Sequence, residues 1–184
     1  YKSWRDKKRT NAILEKQNLE IANKNKKIID SIRYAQTIPQ AILPIGTTID
    51  KYFDWFIIYQ PKDIVSGDFY WFTHIEETGK SIFAVVDCTG HGVPGAFMSM
   101  IGNRLLIEAV KEKGITRPVE ILNDVDASIR IALMQDETLN NDGMDMCICT
   151  VEYAKNGKCL VEFAGAKRPI FYSEAKGGLK HIKG

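Results

Sequence analysis

The sequence predicts an α+β fold, in which antiparallel sheets with flanking helices follow a long N-terminal helix. Residues 1–38 contain no glycine or proline and carry ten Lys/Arg against four Asp/Glu, as a long exposed helix does. Short β-branched and aromatic runs begin after Pro44, and two helical segments separate the first strands from the last. This order favours antiparallel sheets over a parallel doubly wound fold. We therefore divide the chain into a helical linker, residues 1–44, and a globular domain, residues 45–184.

A heptad repeat runs through the linker helix, which we predict to end at Pro39 because proline cannot donate a helical hydrogen bond. The a positions are Asn11, Asn18, Asn25 and Ile32, and the d positions are Leu14, Ile21, Ile28 and Ala35. An a-position Asn fixes register and favours a parallel pair while weakening it. The repeat predicts a marginally stable parallel coiled-coil homodimer. A single amphipathic helix packed on its own domain is the alternative.

The N-terminal end of the linker has a distinct composition. Two aromatic residues and five bases occur in the first nine residues, YKSWRDKKR. This composition suits a segment just cytoplasmic of an upstream membrane or sensor domain, and it equally suits the solvated start of an ordinary helix. No apolar run reaches the roughly 18 residues that span a bilayer. We expect a cytoplasmic domain, which the first interpretation places at the inner face of the membrane.

The composition argues against several classes of function. A net charge of +2, with no basic stripe beyond the N-terminus, argues against nucleic-acid binding. The four cysteines form no C-x-x-C pair and the three histidines are scattered, so a structural zinc site is not predicted. The cysteines instead resemble small apolar residues of a protein in a reducing compartment.

In the globular domain, three predicted strands are followed by two helices and then by three more strands. Strands are predicted at residues 54–60, 68–75, 81–87, 145–153, 158–165 and 169–173. One helix is predicted at residues 94–113, where Gly114 ends it. A second is predicted at residues 117–134, where Thr116 marks its start. Turn residues mark 140–143 and 155–157.

Two aspartates stand where a strand meets a loop. Asp68 opens one predicted strand and Asp87 ends the next. Carboxylates at rigid strand ends suit Mg²⁺ or Mn²⁺, although an isolated aspartate there more often caps a turn. The segment DCTGHGVPGA (87–96) has three glycines in six residues running into a helix, so its backbone is expected to approach a ligand closely. A tight strand-to-helix turn is the alternative.

Five ordered segments resemble one family. PKDIVSGDFYW (61–71) and VVDCTGHGVPGAFMSMIGNRLL (85–106) are similar to the first two metal-site motifs of SpoIIE/RsbU-type phosphatases, which are type 2C-like members of the PPM superfamily. DGMDMCICTVE (142–152) and FAGAKRPIFY (163–172) resemble the following segments, and SIRYAQTIPQAILP (31–44) resembles the regulatory helix before such domains. The resemblance covers about residues 28–173. It implies a type 2C-like sandwich of antiparallel sheets and a hydrolase that acts as a serine/threonine protein phosphatase.

The resemblance also implies roles for individual residues. Two Mn²⁺ or Mg²⁺ ions would activate the attacking water, held by Asp87 as the bridging carboxylate, by Asp68 and by the backbone carbonyl of Cys88. His91 is a candidate catalytic acid and Lys62 a candidate cation for the substrate phosphate, with a turn histidine and a surface lysine as the alternatives. The backbone at Gly90 and Gly92 is expected to approach the substrate.

Part of the implied metal site has no counterpart in the sequence. The family carries two further metal aspartates, in a late Ser-Asp-Gly segment and a final Asp-Asp segment, and neither string occurs here. We therefore expect residues 1–184 alone to bind the second metal weakly and to have little activity. Asp142 and Asp145 are not predicted to replace these ligands, because their segment does not usually bind metal in the family.

Two functions follow as hypotheses. The first is a bacterial signalling phosphatase that removes phosphate from Ser or Thr of a partner, expected from the resemblance to be a STAS-domain anti-sigma factor antagonist. The second is a non-catalytic dimerising module that binds a partner through a phosphatase-like body. The sequence leaves the substrate, the upstream signal and the choice between Mn²⁺ and Mg²⁺ open.

Overall fold

The computed structural model describes residues 2–44, 46–154, 157–174 and 177–184. Its helices are α1 (Lys2–Ala41), α2 (Gly46–Ile49), α3 (Gly92–Ile107), which continues as a π-helical turn (Glu108–Glu112), and α4 (Pro118–Ala132). Its strands are β1 (Phe69–Ile75), β2 (Lys80–Cys88), β3 (Met144–Tyr153), β4 (Cys159–Ala166), β5 (Ile170–Tyr172) and β6 (Lys180–Ile182).

The strands form two antiparallel sheets, which confirms the predicted α+β class. Strands β1 to β4 pair in sequence order as one four-stranded sheet, and β5 pairs with β6 as a separate hairpin. Each neighbour in the larger sheet is the next strand along the chain. The four-stranded sheet can therefore assemble from sequential antiparallel pairs, with α3 and α4 inserted between β2 and β3.

One face of the four-stranded sheet forms the core with α3 and α4. Every second residue on β1, β2 and β3 points to this face, as the period of a strand requires. The buried cluster joins Trp71, Ala84 and Ile148 of the sheet to Leu106 of α3 and Val125 of α4. Residues of β1, β2 and β3 that lie on one face thus fix the position of both helices.

Helix α1 is longer than predicted. It runs to Ala41 and includes Pro39, which the sequence had placed at its end. Proline lacks the backbone N–H that would donate to the Ala35 carbonyl, and α1 ends two residues after it, at Ala41. Most of α1 is exposed, and its C-terminal end contacts α3 while Leu43 packs against the core.

Residues 54–60, predicted as a strand, form no strand in the structure. Ring contacts hold the segment instead. Phe53, which precedes it, stacks edge-on against Phe83 with ring centroids 4.9 Å apart, and Tyr59 meets Tyr70 at 6.0 Å. Aromatic and β-branched residues gave this segment strand propensity, but propensity does not supply a pairing partner.

The remaining boundaries differ from the prediction in smaller ways. Arg117, not Thr116, is the N-cap of α4, with Pro118 in the first turn, and the helix ends two residues early. The carbonyl of Thr116 instead accepts a 2.9 Å hydrogen bond from the Thr150 hydroxyl of β3. Helix α2 and strand β6 were not predicted. The predicted turn at 155–157 falls partly on residues 155 and 156, which lie outside the described residues.

Two features bear on the environment of the protein. None of the described helices is long and apolar enough to cross a membrane. All four cysteines are free: Cys88 is buried, Cys147 and Cys149 are partly buried, and Cys159 is exposed.

Candidate active site

The register of β1 and β2 brings Asp68 and Asp87 together. Phe69 pairs with Val86, so the residue before β1 and the residue after Val86 lie side by side at one end of the sheet. The backbone N–H of Asp68 donates a 3.0 Å hydrogen bond to the Ser66 hydroxyl, and its carbonyl accepts one of 3.0 Å from Tyr59. These bonds fix the backbone of Asp68 at the start of β1.

The two carboxyl groups interact electrostatically. Burial raises the pKa of Asp68, and the charge of Asp87 together with a hydrogen bond to that carboxyl raises it further, while Arg168 opposes the shift. Two negative charges this close repel each other, and a cation between them relieves the repulsion. The pair is therefore an electrostatic site for positive charge.

The glycine-rich segment after β2 makes a tight turn into α3. Gly90 and Gly92 have positive φ values of +88° and +64°, which glycine adopts without strain. A Cβ on Gly95 would lie 2.7 Å from the carbonyl oxygen of Gly90 and 3.0 Å from the Cα of Gly67. Small residues thus let the loop before β1 and the loop after β2 touch, which sets the spacing of Asp68 and Asp87.

Arg168 and Asp145 also belong to this site. Asp145 is the cross-strand partner of Asp87 in the β2–β3 register. The Arg168 guanidinium hydrogen bonds to the Asp87 carboxylate and lies 3.6 Å from Asp145, while the Lys167 amine lies 3.1 Å from Asp145. Two cations from the β4–β5 connection therefore balance the carboxylates.

His91 and Lys62 lie in the two loops next to β1 and β2. His91 is the N-cap residue of α3 and its Nδ1 lies 2.7 Å from Oδ2 of Asp63. Lys62, beside Asp63 in the same loop, is exposed and makes no ion pair with another described residue. Its role toward a phosphate stays a prediction.

The thiol of Cys88 is buried in the hydrophobic core, between the sheet and the helices. Burial, with the charges of Asp68 and Asp87, raises the pKa of this thiol to about 12, so it is neutral at physiological pH. A role for Cys88 through its backbone carbonyl is compatible with this placement, and a role for its thiolate is not.

A cleft of about 680 Å³ opens beside the two aspartates. Its walls are mainly aromatic and aliphatic, with the carboxylates and one guanidinium at one end. The lining includes Phe56, Ile58, Tyr59, Tyr70, Val85, Asp68, Asp87, Arg168 and Phe171. A charged group can reach the aspartates while an apolar neighbour lies against the walls.

The oxygen atoms at this site are of the type that a hard divalent cation prefers, but they are too few to form a complete set of ligands. Mg²⁺ and Mn²⁺ prefer carboxylate and carbonyl oxygens, and Asp68 and Asp87 supply such oxygens at one point. Within the part of the chain that the structure describes, no three His, Cys, Asp or Glu side chains converge as a metal group. Asp68, Asp87 and the carbonyl of Cys88 fit as part of a ligand set.

The fold is similar to that of a solved structure. The SiaA-PP2C domain of Pseudomonas aeruginosa matches with a TM-score of 0.70 and 30% sequence identity, over 87% of this chain. The chain contains a PP2C-like domain. It spans 61% of the length of the SiaA-PP2C domain chain. The sequence matches no family model and no curated protein.

Within the PP2C-like domain, the structure joins most of the sequence-predicted site residues. Asp68, Asp87 and the turn at Gly90 and Gly92 meet at one end of the sheet, and His91 lies in the same turn. Sequence reasoning assigned no role to Asp63 or Arg168 and set Asp145 aside. Both Asp63 and Arg168 stand inside the segments that carried the family resemblance, so their positions were visible although their contacts were not.

Proposed function

We propose that this PP2C-like domain is a protein phosphatase that removes phosphate from phosphoserine or phosphothreonine of a partner protein in bacterial signalling. One observation carries the proposal. Asp68 and Asp87 lie side by side at the end of adjacent strands in a fold shared with a PP2C domain. Burial and then the neighbouring charge of Asp87 raise the pKa of Asp68, and a bound cation would favour the ionised form of both carboxylates.

The residues of the site divide the work of hydrolysis. Asp68, Asp87 and the Cys88 carbonyl would hold two Mn²⁺ or Mg²⁺ ions. When bound, such ions neutralise charge on phosphoryl oxygens and lower the pKa of water. The glycine turn at Gly90 and Gly92 keeps side chains away from the phosphate, and His91 supplies a proton to the leaving oxygen.

A protein substrate fits the open cleft better than a small metabolite. Phe56 and Ile58 on its wall are 86% and 80% exposed, so apolar side chains are available to a docking protein. The resemblance to SpoIIE/RsbU-type phosphatases suggests a STAS-domain partner. We further propose that α1 pairs with a second copy of the chain, since its heptad d positions are exposed.

Hydrolysis of a phosphoserine peptide by the full-length protein with Mn²⁺ tests the proposal. We expect Asp87→Asn to lower the turnover number by at least about 100-fold, because it weakens the cation site that the reaction needs. Asp54→Asn, an exposed aspartate outside the site, is the matched control and should retain the wild-type rate. Wild-type protein without metal-dependent hydrolysis would refute the proposal.

A second function is favoured by a specific observation. No three metal-ligating side chains converge in the described part of the chain, and Arg168 occupies the carboxylate of Asp87. A non-catalytic module that binds a partner would have these features. Under that alternative the full-length protein binds the phosphorylated partner without releasing phosphate.

A further inference from the structure

His91 holds an unusual position for its residue type. It is the N-cap of the 16-residue helix α3, a position where Ser, Thr, Asp or Asn usually bonds to a free backbone N–H of the first turn. The His91 side chain makes no such bond. It reaches instead to Asp63, with Nδ1 2.7 Å from Oδ2.

The contact places a proton on one of the two nitrogens of the His91 ring, Nδ1. An ionised carboxylate only accepts hydrogen bonds, so Nδ1 of His91 carries the proton that it donates to Asp63. The second ring nitrogen, Nε2, is then the one left for chemistry. The His91 and Asp63 side chains are 68% and 42% exposed. An ion pair this exposed contributes little stability.

The contact joins the loop before β1, which contains Asp68, to the loop that follows β2, the strand that contains Asp87. Asp63 precedes Asp68 in the loop before β1, and His91 follows Asp87 in the loop after β2. Gly92 lies directly beside the pair, since a Cβ there would lie 3.4 Å from Oδ2 of Asp63, at ordinary van der Waals distance. The close approach of Gly67 and Gly95 holds the loops together without this pair, so the pair is not needed to join them.

We propose that Asp63 is a positioning residue that orients the His91 ring and selects its Nδ1–H tautomer, so that Nε2 delivers the proton to the Ser or Thr leaving oxygen. This inference rests on the proposed phosphatase function. It assigns to Asp63 a role that acts through His91, without contact between Asp63 and the substrate.

The proton step balances as follows. Water adds to phosphorus, and the bond between phosphorus and the Ser or Thr oxygen breaks with its electron pair on that oxygen. The proton on Nε2 of protonated His91 passes to the oxygen, which leaves as the neutral alcohol. His91 regains its Nε2 proton from solvent, and the Nδ1 proton stays on His91 throughout, hydrogen-bonded to Asp63.

Two substrates whose leaving groups differ in basicity test the positioning role of Asp63. When a phosphoserine peptide is hydrolysed, the serine oxygen leaves as an alkoxide that needs a proton. When p-nitrophenyl phosphate is hydrolysed, the leaving group is a stable phenolate that does not. For Asp63→Ala we expect kcat on the peptide to fall by about tenfold or more, with KM unchanged, and kcat on p-nitrophenyl phosphate to change by less than about threefold. Asp63→Glu should restore part of the peptide activity, and Asp54→Asn should match wild type.

Nuclear magnetic resonance of the ring nitrogens gives a second readout that does not depend on activity. The wild-type protein should show His91 with its proton on Nδ1 when neutral, and Asp63→Ala should shift the ring toward the Nε2–H form. An unchanged tautomer, or equal losses on both substrates, would overturn the positioning role while leaving the phosphatase function intact. If wild type hydrolysed neither substrate, the proposed function itself would fail.

Discussion

At the scale of single residues, Arg168 and a divalent cation would compete for the carboxylate of Asp87. The guanidinium lies on the carboxylate of Asp87 and near Asp145, and its positive charge opposes the mutual repulsion of Asp68 and Asp87. A cation bound at Asp87 has to displace this contact. If the aspartates bind metal as proposed, we expect Arg168 to lower their apparent affinity for it.

Removal of this competitor should strengthen metal binding. We expect Arg168→Gln to tighten Mn²⁺ binding to the full-length protein by about two- to fivefold, which corresponds to the loss of one half-exposed ion pair. Titration calorimetry measures the affinity directly. Lys167→Gln, which removes a neighbouring cation that contacts Asp145 but not Asp87, should have a smaller effect. Weaker Mn²⁺ binding by Arg168→Gln would show that Arg168 supports the site.

The glycine contact between the two site loops leads to a stability prediction. A Cβ at Gly95 would lie 2.7 Å from the Gly90 carbonyl oxygen, so one backbone segment has to move. Gly95→Ala should lower the free energy of unfolding by about 1–3 kcal/mol, as overpacking does. Gly143→Ala is the control, because nothing lies within 4 Å of its Cβ. Denaturant unfolding that gave equal stabilities for the two variants would contradict the close approach.

At the scale of elements, α1 and α3 connect the linker to the site. The exposed apolar residues of α1 include Leu14, Ile21 and Ile28, which are 49%, 55% and 57% exposed and recur at heptad spacing. The C-terminal end of α1 contacts α3, and α3 begins at the glycine turn beside Asp87. We expect a change in the pairing of α1, worth a few kcal/mol, to reach the site by this route.

The heptad assignment makes a distinct prediction. Asn18 and Asn25 stand at a positions, where isoleucine removes a buried polar group and strengthens a two-stranded coil. Asn18→Ile with Asn25→Ile should convert a weak dimer into a stable one in sedimentation experiments. Asn23→Ile makes the same chemical change off the seam and should leave the association unchanged. A doubly substituted protein that remained monomeric would show that the heptad is wrong.

Local patterns predicted most of the elements, and two exceptions stand out. Strands β1 to β4 and helices α3 and α4 carry periodicity and turn signals within their own sequences. Residues 54–60 have the same strand propensity but contact the sheet through rings, because pairing depends on a distant edge. Pro39 was expected to end α1, but the helix continues for two more residues, to Ala41.

At the scale of the whole molecule, the fold places distant loops at one end of one sheet. Asp68 and Asp87 were predictable because each lies in a local motif at a strand end. Arg168 and Asp145 were not, because only the β2–β3 register and the β4–β5 connection bring them to Asp87. Asp63 meets His91 for the same reason, across two loops that the sequence alone does not join.

The central claim is that Asp68 and Asp87 together form a divalent-cation site in this PP2C-like domain. Calorimetric titration of Mn²⁺ into full-length wild type, Asp68→Asn, Asp87→Asn and the control Asp54→Asn tests it most directly. We predict that each of the two site substitutions weakens Mn²⁺ binding by at least about tenfold and that the control does not. Equal Mn²⁺ affinities in all four proteins would contradict the claim.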